Sequence, residues 1–190
     1  MLLTSCGYHF TQKQEPLTIS LPFISGDDKG FLTAQVIRAV YENPFLCYRN
    51  EGGDINLSLE IKHKTVEQIG YQRDRNKVDN TIKKNLRPVE GRQILEIKMS
   101  ACKDSSSAPL FEPVCLKAEV DFDFVDGDAL SDLSFINRDG RRDTVLRFSL
   151  GQLEPKDNAI EASHKALYKR IAQKIVDQLV DQLIFSKRET

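Results

Sequence analysis

Apolar and polar residues alternate most strictly from Ile55 to Lys62, where Ile55, Leu57, Leu59 and Ile61 interleave with Asn56, Ser58, Glu60 and Lys62. A period of two is that of a strand with one buried face. The pattern runs on through Val66 and Ile69 towards Tyr71. Two further stretches repeat it. Leu95, Ile97, Met99 and Ala101 alternate with Glu96, Lys98, Ser100 and Cys102, and Val114, Leu116, Ala118, Val120, Phe122 and Phe124 alternate with Cys115, Lys117, Glu119, Asp121 and Asp123. The loop from Lys103 to Pro109 separates them. Near the start, Leu17, Ile19, Leu21 and Phe23 predict one more strand, with Pro22 at its edge or end because proline has no N–H for a ladder.

Helical spacing appears twice. Leu32, Val36, Ile37 and Val40 predict a helix from Phe31 to Tyr41, opened by the turn and cap residues Ser25-Gly26-Asp27-Asp28 and ended by Pro44. Ile160, Leu167, Ile171, Ile175, Leu179 and Leu183 repeat at intervals of four and seven and predict a long helix from Ala159 to Ile184, with Val176 and Val180 widening the stripe. Asn158 and Glu161 have the spacing of a capping box. The order strand, helix, three strands, helix predicts an α+β two-layer sandwich: a mainly antiparallel four-stranded sheet with two helices packed on one face. Residues 72–92 and 126–150 are polar and read as long connections, the first a basic loop or hairpin tip. Val145, Leu146, Phe148 and Leu150 suggest a short extra strand at the end of the second.

Composition narrows the function. A chain of 190 residues with 40% hydrophobic residues is one ordinary domain. With 27 Lys+Arg against 28 Asp+Glu the formal net charge is -1, too small for a field that gathers nucleic acid, and no nucleic-acid partner is expected. No apolar run is long enough for a spanning helix. His9, His63 and His164 lie far apart on different elements, and His164 is expected to be a packed or half-exposed imidazole on the last helix. There is no glycine-rich phosphate loop after a strand, no nucleophile elbow and no Cys-x-x-Cys pair. No catalytic residue, metal site or cofactor is therefore expected, and the chain reads as a non-enzyme.

Cysteine chemistry points elsewhere. Leu3-Thr4-Ser5-Cys6 fits a lipobox, in which small residues let an extended segment enter the peptidase and the Cys6 thiol takes up diacylglycerol. Residues 1–5 carry neither a basic region nor a full apolar region and read as the remnant of a lipoprotein signal peptide, with residues 6–190 as a single domain. Several acyl chains on one cysteine hold a protein firmly to a bilayer. Cys102 and Cys115 share the outer face of consecutive strands. Setting them opposite each other also sets Ile97 against Val120 and Leu95 against Phe122. In an oxidising compartment they are candidates for a cross-strand disulfide worth about 3 kcal/mol, with two free thiols as the alternative. Cys47 is expected behind the first helix. Arg73, Arg75, Lys83, Lys84 and Arg87 cluster in the polar tract, as either a solvated loop or a site for phosphate or carboxylate groups of an anionic glycolipid.

Cys6-Gly7-Tyr8-His9-Phe10 resembles the mature start of the LptE family of lipopolysaccharide-assembly lipoproteins, and the element order from Cys6 to about Leu183 is similar to that family's. The resemblance implies an outer-membrane lipoprotein, anchored on the periplasmic side through acylated Cys6. It further implies a domain that plugs and supports an LptD-like outer-membrane β-barrel and binds lipopolysaccharide. Two basic positions bear on that binding in the family. Lys156-Asp157-Asn158 matches the one before the last helix, and Arg75-Asn76 corresponds to the other. The stretches 72–92 and 127–150 are longer than the resemblance leads one to expect. A lipid-anchored pilotin or scaffold for another envelope secretion complex is the rival reading, to be separated by whether Lys156 and Arg75 contribute to lipopolysaccharide binding.

Overall fold

The computed structural model describes residues 15–76, 79, 81–103, 109–124, 134–144 and 156–186. Cys6 with its flanking motif, and the strand expected between Val145 and Leu150, lie outside these residues. The described elements run β1 (Leu17–Ser20), α1 (Phe31–Glu42), β2 (Leu46–Arg49), β3 (Ile55–Arg75), β4 (Ile82–Lys103), β5 (Val114–Asp123), β6 (Ser134–Ile136), β7 (Arg142–Thr144) and α2 (Lys156–Ser186).

The main sheet has five strands in the order β2-β1-β3-β4-β5. β3, β4 and β5 are antiparallel neighbours, whereas β1 is parallel to both β2 and β3, so the sheet is mixed. The expected count of four omits β2, whose four residues are too few to show a period. The first strand is also shorter than its alternation suggests. It ends at Ser20, before Pro22, and Phe23 is exposed while Ile24 enters the core.

One face of the sheet and both helices make the main core. Ile19, Ile55, Leu57, Leu59, Leu95, Ile97, Met99 and Ala101 pack with Leu32, Val36 and Val40 of α1 and Leu167, Ile171, Ile175, Val176 and Leu179 of α2. The two helices thus cover one face, as the patterns require.

Local chemistry sets the helix ends. Gly30 occupies the N-cap of α1 without a side chain to cap it. Buried Asp27 does that work instead, its Oδ2 accepting the Thr33 N–H at 2.7 Å and the Thr33 hydroxyl at 2.9 Å. Pro44 disfavours helical geometry at Asn43, which is extended, and α1 stops at Glu42. α2 begins three residues earlier than expected. Asn158 is inside the helix, so the Asn158/Glu161 pair is not its cap.

Both long connections contain structure. Residues 72–92 are strand for most of their length, because β3 and β4 form one hairpin of 21 and 22 residues paired from Ile55↔Lys103 out to Arg75↔Ile82. β-Bulges accompany this length: the register shifts near Ile61/His63, Gln68/Gly70, Gly70/Tyr71 and Arg73/Arg75. Bulges add twist and break the alternation of apolar residues that would mark a strand. Within 126–150, β6 and β7 form a small separate hairpin, turned at Asn137 to Arg141 with Gly140 at φ 72°.

The register of β4 and β5 also differs from expectation. Ile97 opposes Leu116 and Leu95 opposes Ala118, a shift of four residues that preserves the faces but parts the cysteines. Cys115 opposes Lys98, while Cys102 pairs with Asn56 of β3 and bridges to Pro109. Four residues of strand is about 13 Å, too far for a disulfide. Both are free thiols, and so is Cys47, which is half-buried on β2.

Candidate functional site: the cationic hairpin and the Lys156 recess

β5 pairs with β4 only from Glu90 to Met99, and β1 meets β3 only at Ile55 and Asn56. Residues 70–75 and 82–89 therefore form a two-stranded ribbon. Opposed residues in such a pair share a face. Tyr71 opposes Pro88, Arg73 opposes Leu86 and Arg75 opposes Ile82, whereas Gln72 opposes Arg87. One face thus carries Tyr71, Arg73, Leu86 and Ile82, and the other carries Gln72, Asp74 and Arg87.

The two faces have opposite chemistry. Asp74 is 2% exposed, and its Oδ2 lies 3.1 Å from the Lys83 ammonium and 3.2 Å from the Arg87 guanidinium. A carboxylate this buried needs such partners. Two of the five clustered cations are therefore held by an internal acid. On the other face Tyr71, Ile82 and Leu86 are 53%, 59% and 62% exposed. Arg73 on that face and Lys84, between Ile82 and Leu86 along the strand, are exposed and make no ion pair among the described residues. Arg75 ends β3.

Lys156 stands at the root of this ribbon. It is the first residue of α2, and with Ile160 it lines a recess whose other wall is Val66, Glu67, Gln68 and Tyr71. Its ammonium lies 5.6 Å from the centre of the Phe124 ring. A cation in the first turn is disfavoured by the helix dipole. No carboxylate among the described residues pairs with Lys156, although Asp157 follows it.

The mounting is firm. Phe122, Phe124 and Ala159, joined by Ile160, form a second apolar cluster beneath the start of α2. The Gln93 side chain, 1% exposed, donates from Nε2 to the Ile160 carbonyl at 2.7 Å and ties the helix to β4. On the opposite, solvated face, Arg92 binds Asp121 through two hydrogen bonds of 2.7 and 3.0 Å. This contact raises the guanidinium pKa and lowers that of the carboxyl.

The structure thus brings Lys156 to the hairpin that carries Arg73 and Lys84, separates these from Lys83 and Arg87, and places the free thiols of Cys102 and Cys115 elsewhere. Sequence reasoning missed Asp74 and the exposed apolar residues. The signal for Asp74 was an acid set directly between Arg73 and Arg75. Alternation reaches Tyr71 but does not show that its side chain is exposed, and Ile82 and Leu86 gave no signal because bulges break their period.

A second concavity, a cleft of about 700 Å³, lies between the first turns of α1, the N-terminal half of α2 and the loop at Gly26 to Lys29. Half-buried His164 stacks on Tyr168 here, with ring centres 5.8 Å apart and planes 5° from parallel. Burial, followed by the charges of Lys64 and Lys29, lowers the His164 pKa against an opposing effect of Glu161. No group of three or more His, Cys, Asp or Glu among the described residues is placed to hold a metal ion. None of the described helices is long and apolar enough to cross a membrane.

No protein-family model and no curated protein matches the sequence. Among solved structures, the chain is similar to rare lipoprotein B from Shewanella oneidensis, at 13% identity over 90% of this chain and 98% of that one, with a TM-score of 0.49. It is also similar to a minor lipoprotein from Acinetobacter baumannii, at 14% identity over 86% and 88% of the respective chains, with a TM-score of 0.43. Similarity of this degree transfers neither function nor partners.

Proposed function

We propose that this chain is a non-enzymatic outer-membrane lipoprotein, anchored through acylated Cys6. In this reading it plugs and supports an LptD-like β-barrel and uses its hairpin ribbon to help place lipopolysaccharide in the outer leaflet. The observation that carries the reading is the juxtaposition on one ribbon of unpaired cations, Arg73 and Lys84, with exposed Tyr71, Ile82 and Leu86, and of Lys156 at its root. An anionic glycolipid has that same pairing of phosphates with acyl chains. Arg and Lys suit the phosphates, and the apolar side chains suit the chains. The lipobox at Leu3 to Cys6, with the resemblance of Cys6 to Phe10 and Lys156 to Asn158, supplies the anchor and the envelope setting.

The test is binding of purified lipopolysaccharide by the acylated protein and by a Lys156→Glu, Arg73→Glu, Lys84→Glu variant. All three side chains are exposed, so the fold is expected to survive. Affinity is expected to fall at least about tenfold, or about 1.4 kcal/mol. Undiminished binding by the folded variant overturns the site. Co-purification with a secretion ring in place of a large barrel overturns the plug role and favours the scaffold alternative.

A further inference from the structure

We propose that the cleft between the N-terminal halves of α1 and α2 is a binding site for a single-chain, monoanionic amphiphile, independent of the hairpin. Its volume of about 700 Å³ falls within the range of small-molecule sites. One wall is apolar. Phe31 and Ala34 of α1 face Ile160 and the ring of Tyr168 on α2, and Phe31 is 60% exposed although it is large and aromatic. Chain-like apolar matter in the cleft would cover it.

The head of the ligand follows from the charges. Lys64 reaches in from β3 and donates a hydrogen bond of 3.0 Å to the Tyr168 hydroxyl, with its ammonium 5.5 Å from the ring centre. It makes no ion pair among the described residues, and its remaining N–H donors are available to an anion. His164 stands beside it, its lowered pKa favouring a neutral imidazole that can donate or accept one hydrogen bond. The cleft lining holds the acids Asp27, Asp28, Asp157 and Glu161 against the cations Lys29, Lys64 and Lys165, so its acids outnumber its cations and oppose a second negative charge. One anionic group is therefore admitted and a polyanion refused, which distinguishes the cleft from the cationic ribbon. A carboxylate and a phosphate monoester in its singly charged form share this chemistry, so free fatty acids and single-chain phosphate monoesters are the two sources.

The probes are dodecanoate, dodecyl phosphate and dodecyltrimethylammonium, titrated calorimetrically into the full chain below their micelle concentrations. Saturable binding of one dodecanoate or one dodecyl phosphate per chain is expected, the tighter of the two naming the source, with no saturable binding of the cation. Lys64→Gln should weaken binding at least tenfold. Ala34→Trp, at an exposed position, should fill the cleft and remove it. Leu86→Ser on the ribbon should leave it unchanged, so that failure here is separable from failure of the lipopolysaccharide reading. Absence of saturable anion binding overturns the proposal. So do equal binding of the cation, wild-type affinity in both cleft variants, and loss of binding in Leu86→Ser. Thermal unfolding of each variant confirms that it is folded.

Discussion

Gly53, in the turn just before β3, lies hard against the backbone of β1. A Cβ built there would lie 2.6 Å from the Ser20 amide nitrogen and 2.9 Å from the Ile19 carbonyl carbon, both of them backbone atoms of β1. Backbone in a paired strand cannot rotate away, so the turn leading into β3 would have to move off β1 beside Ile19, which is fully buried. Its neighbour Gly52 has open space but a φ of 66°, where a Cβ costs about 1–2 kcal/mol. Gly53→Ala is expected to destabilise the domain by about 1–3 kcal/mol through overpacking, with an altered core. Urea unfolding together with methyl chemical shifts of Ile19 and Ile55 separates the two sites. Wild-type Ile19 shifts in Gly53→Ala would show that the close approach has no consequence. The same junction is tied by Asp54, whose Oδ2 accepts the Thr18 N–H at 3.0 Å and the Thr18 hydroxyl at 2.5 Å, contacts that lower its pKa.

At the scale of elements, β5 is an edge strand, and an unprotected edge invites pairing with another chain. α2 supplies the protection. Lys174 donates to the Lys117 carbonyl at 2.8 Å and Arg170 donates to the Glu119 carbonyl, so two long cations from the helix occupy acceptors of the strand. Arg170→Ala with Lys174→Ala is expected to leave the helix folded, since both side chains point away from the core stripe and Ala is a good helix former. It should promote concentration-dependent self-association. Sedimentation velocity checks this, and a double variant that stays as monomeric as the parent at every concentration rules the capping role out. These contacts also show where the sequence was readable. The stripe of Leu167, Ile171, Ile175 and Leu179 and the alternation of Ile55 to Ile61 gave the helix, the strand and the face each buries, because burial alone dictates those patterns. β2 was invisible because Leu46 to Arg49 spans only two periods. The ribbon was invisible because it has no core to face, and bulges reset its phase. The β4/β5 register was misjudged by four residues. Periodicity of two fixes faces but not offset, and the observed offset sets Phe122 across Gly91, where any side chain would collide with its ring.

Across the whole molecule, stability and the proposed lipopolysaccharide contact fall on different parts of the same sheet. Among the described residues, every member of the main core cluster lies between Ile19 and Ala118 on the five-stranded body and its loops or on α1 and α2, and none comes from residues 73–86. Among the described residues the ribbon is held by its own ladder and by the Asp74 ion pairs. Such a two-stranded unit is marginal by itself and opens at lower free energy than the core it extends. That separation explains why the basic tract reads from sequence as a loop, and why exposed Tyr71, Ile82 and Leu86 do not cost the domain its fold. It also permits a clean excision. Gln72 opposes Arg87, so replacing residues 73–86 by Asn-Gly closes the hairpin with a two-residue turn of the favoured type while keeping the register of everything nearer the body. The shortened protein is expected to keep its cooperative unfolding, with a stability change of about 1 kcal/mol or less from the shorter loop. It should retain dodecanoate binding in the helix cleft, and it should lose most of its affinity for lipopolysaccharide even though Lys156 remains. Calorimetric unfolding and the two binding titrations on one preparation decide the matter. Full lipopolysaccharide affinity without the ribbon would move the glycolipid contact to Lys156 and the body of the sheet. Loss of cooperative unfolding would mean that the ribbon is part of the folding unit after all.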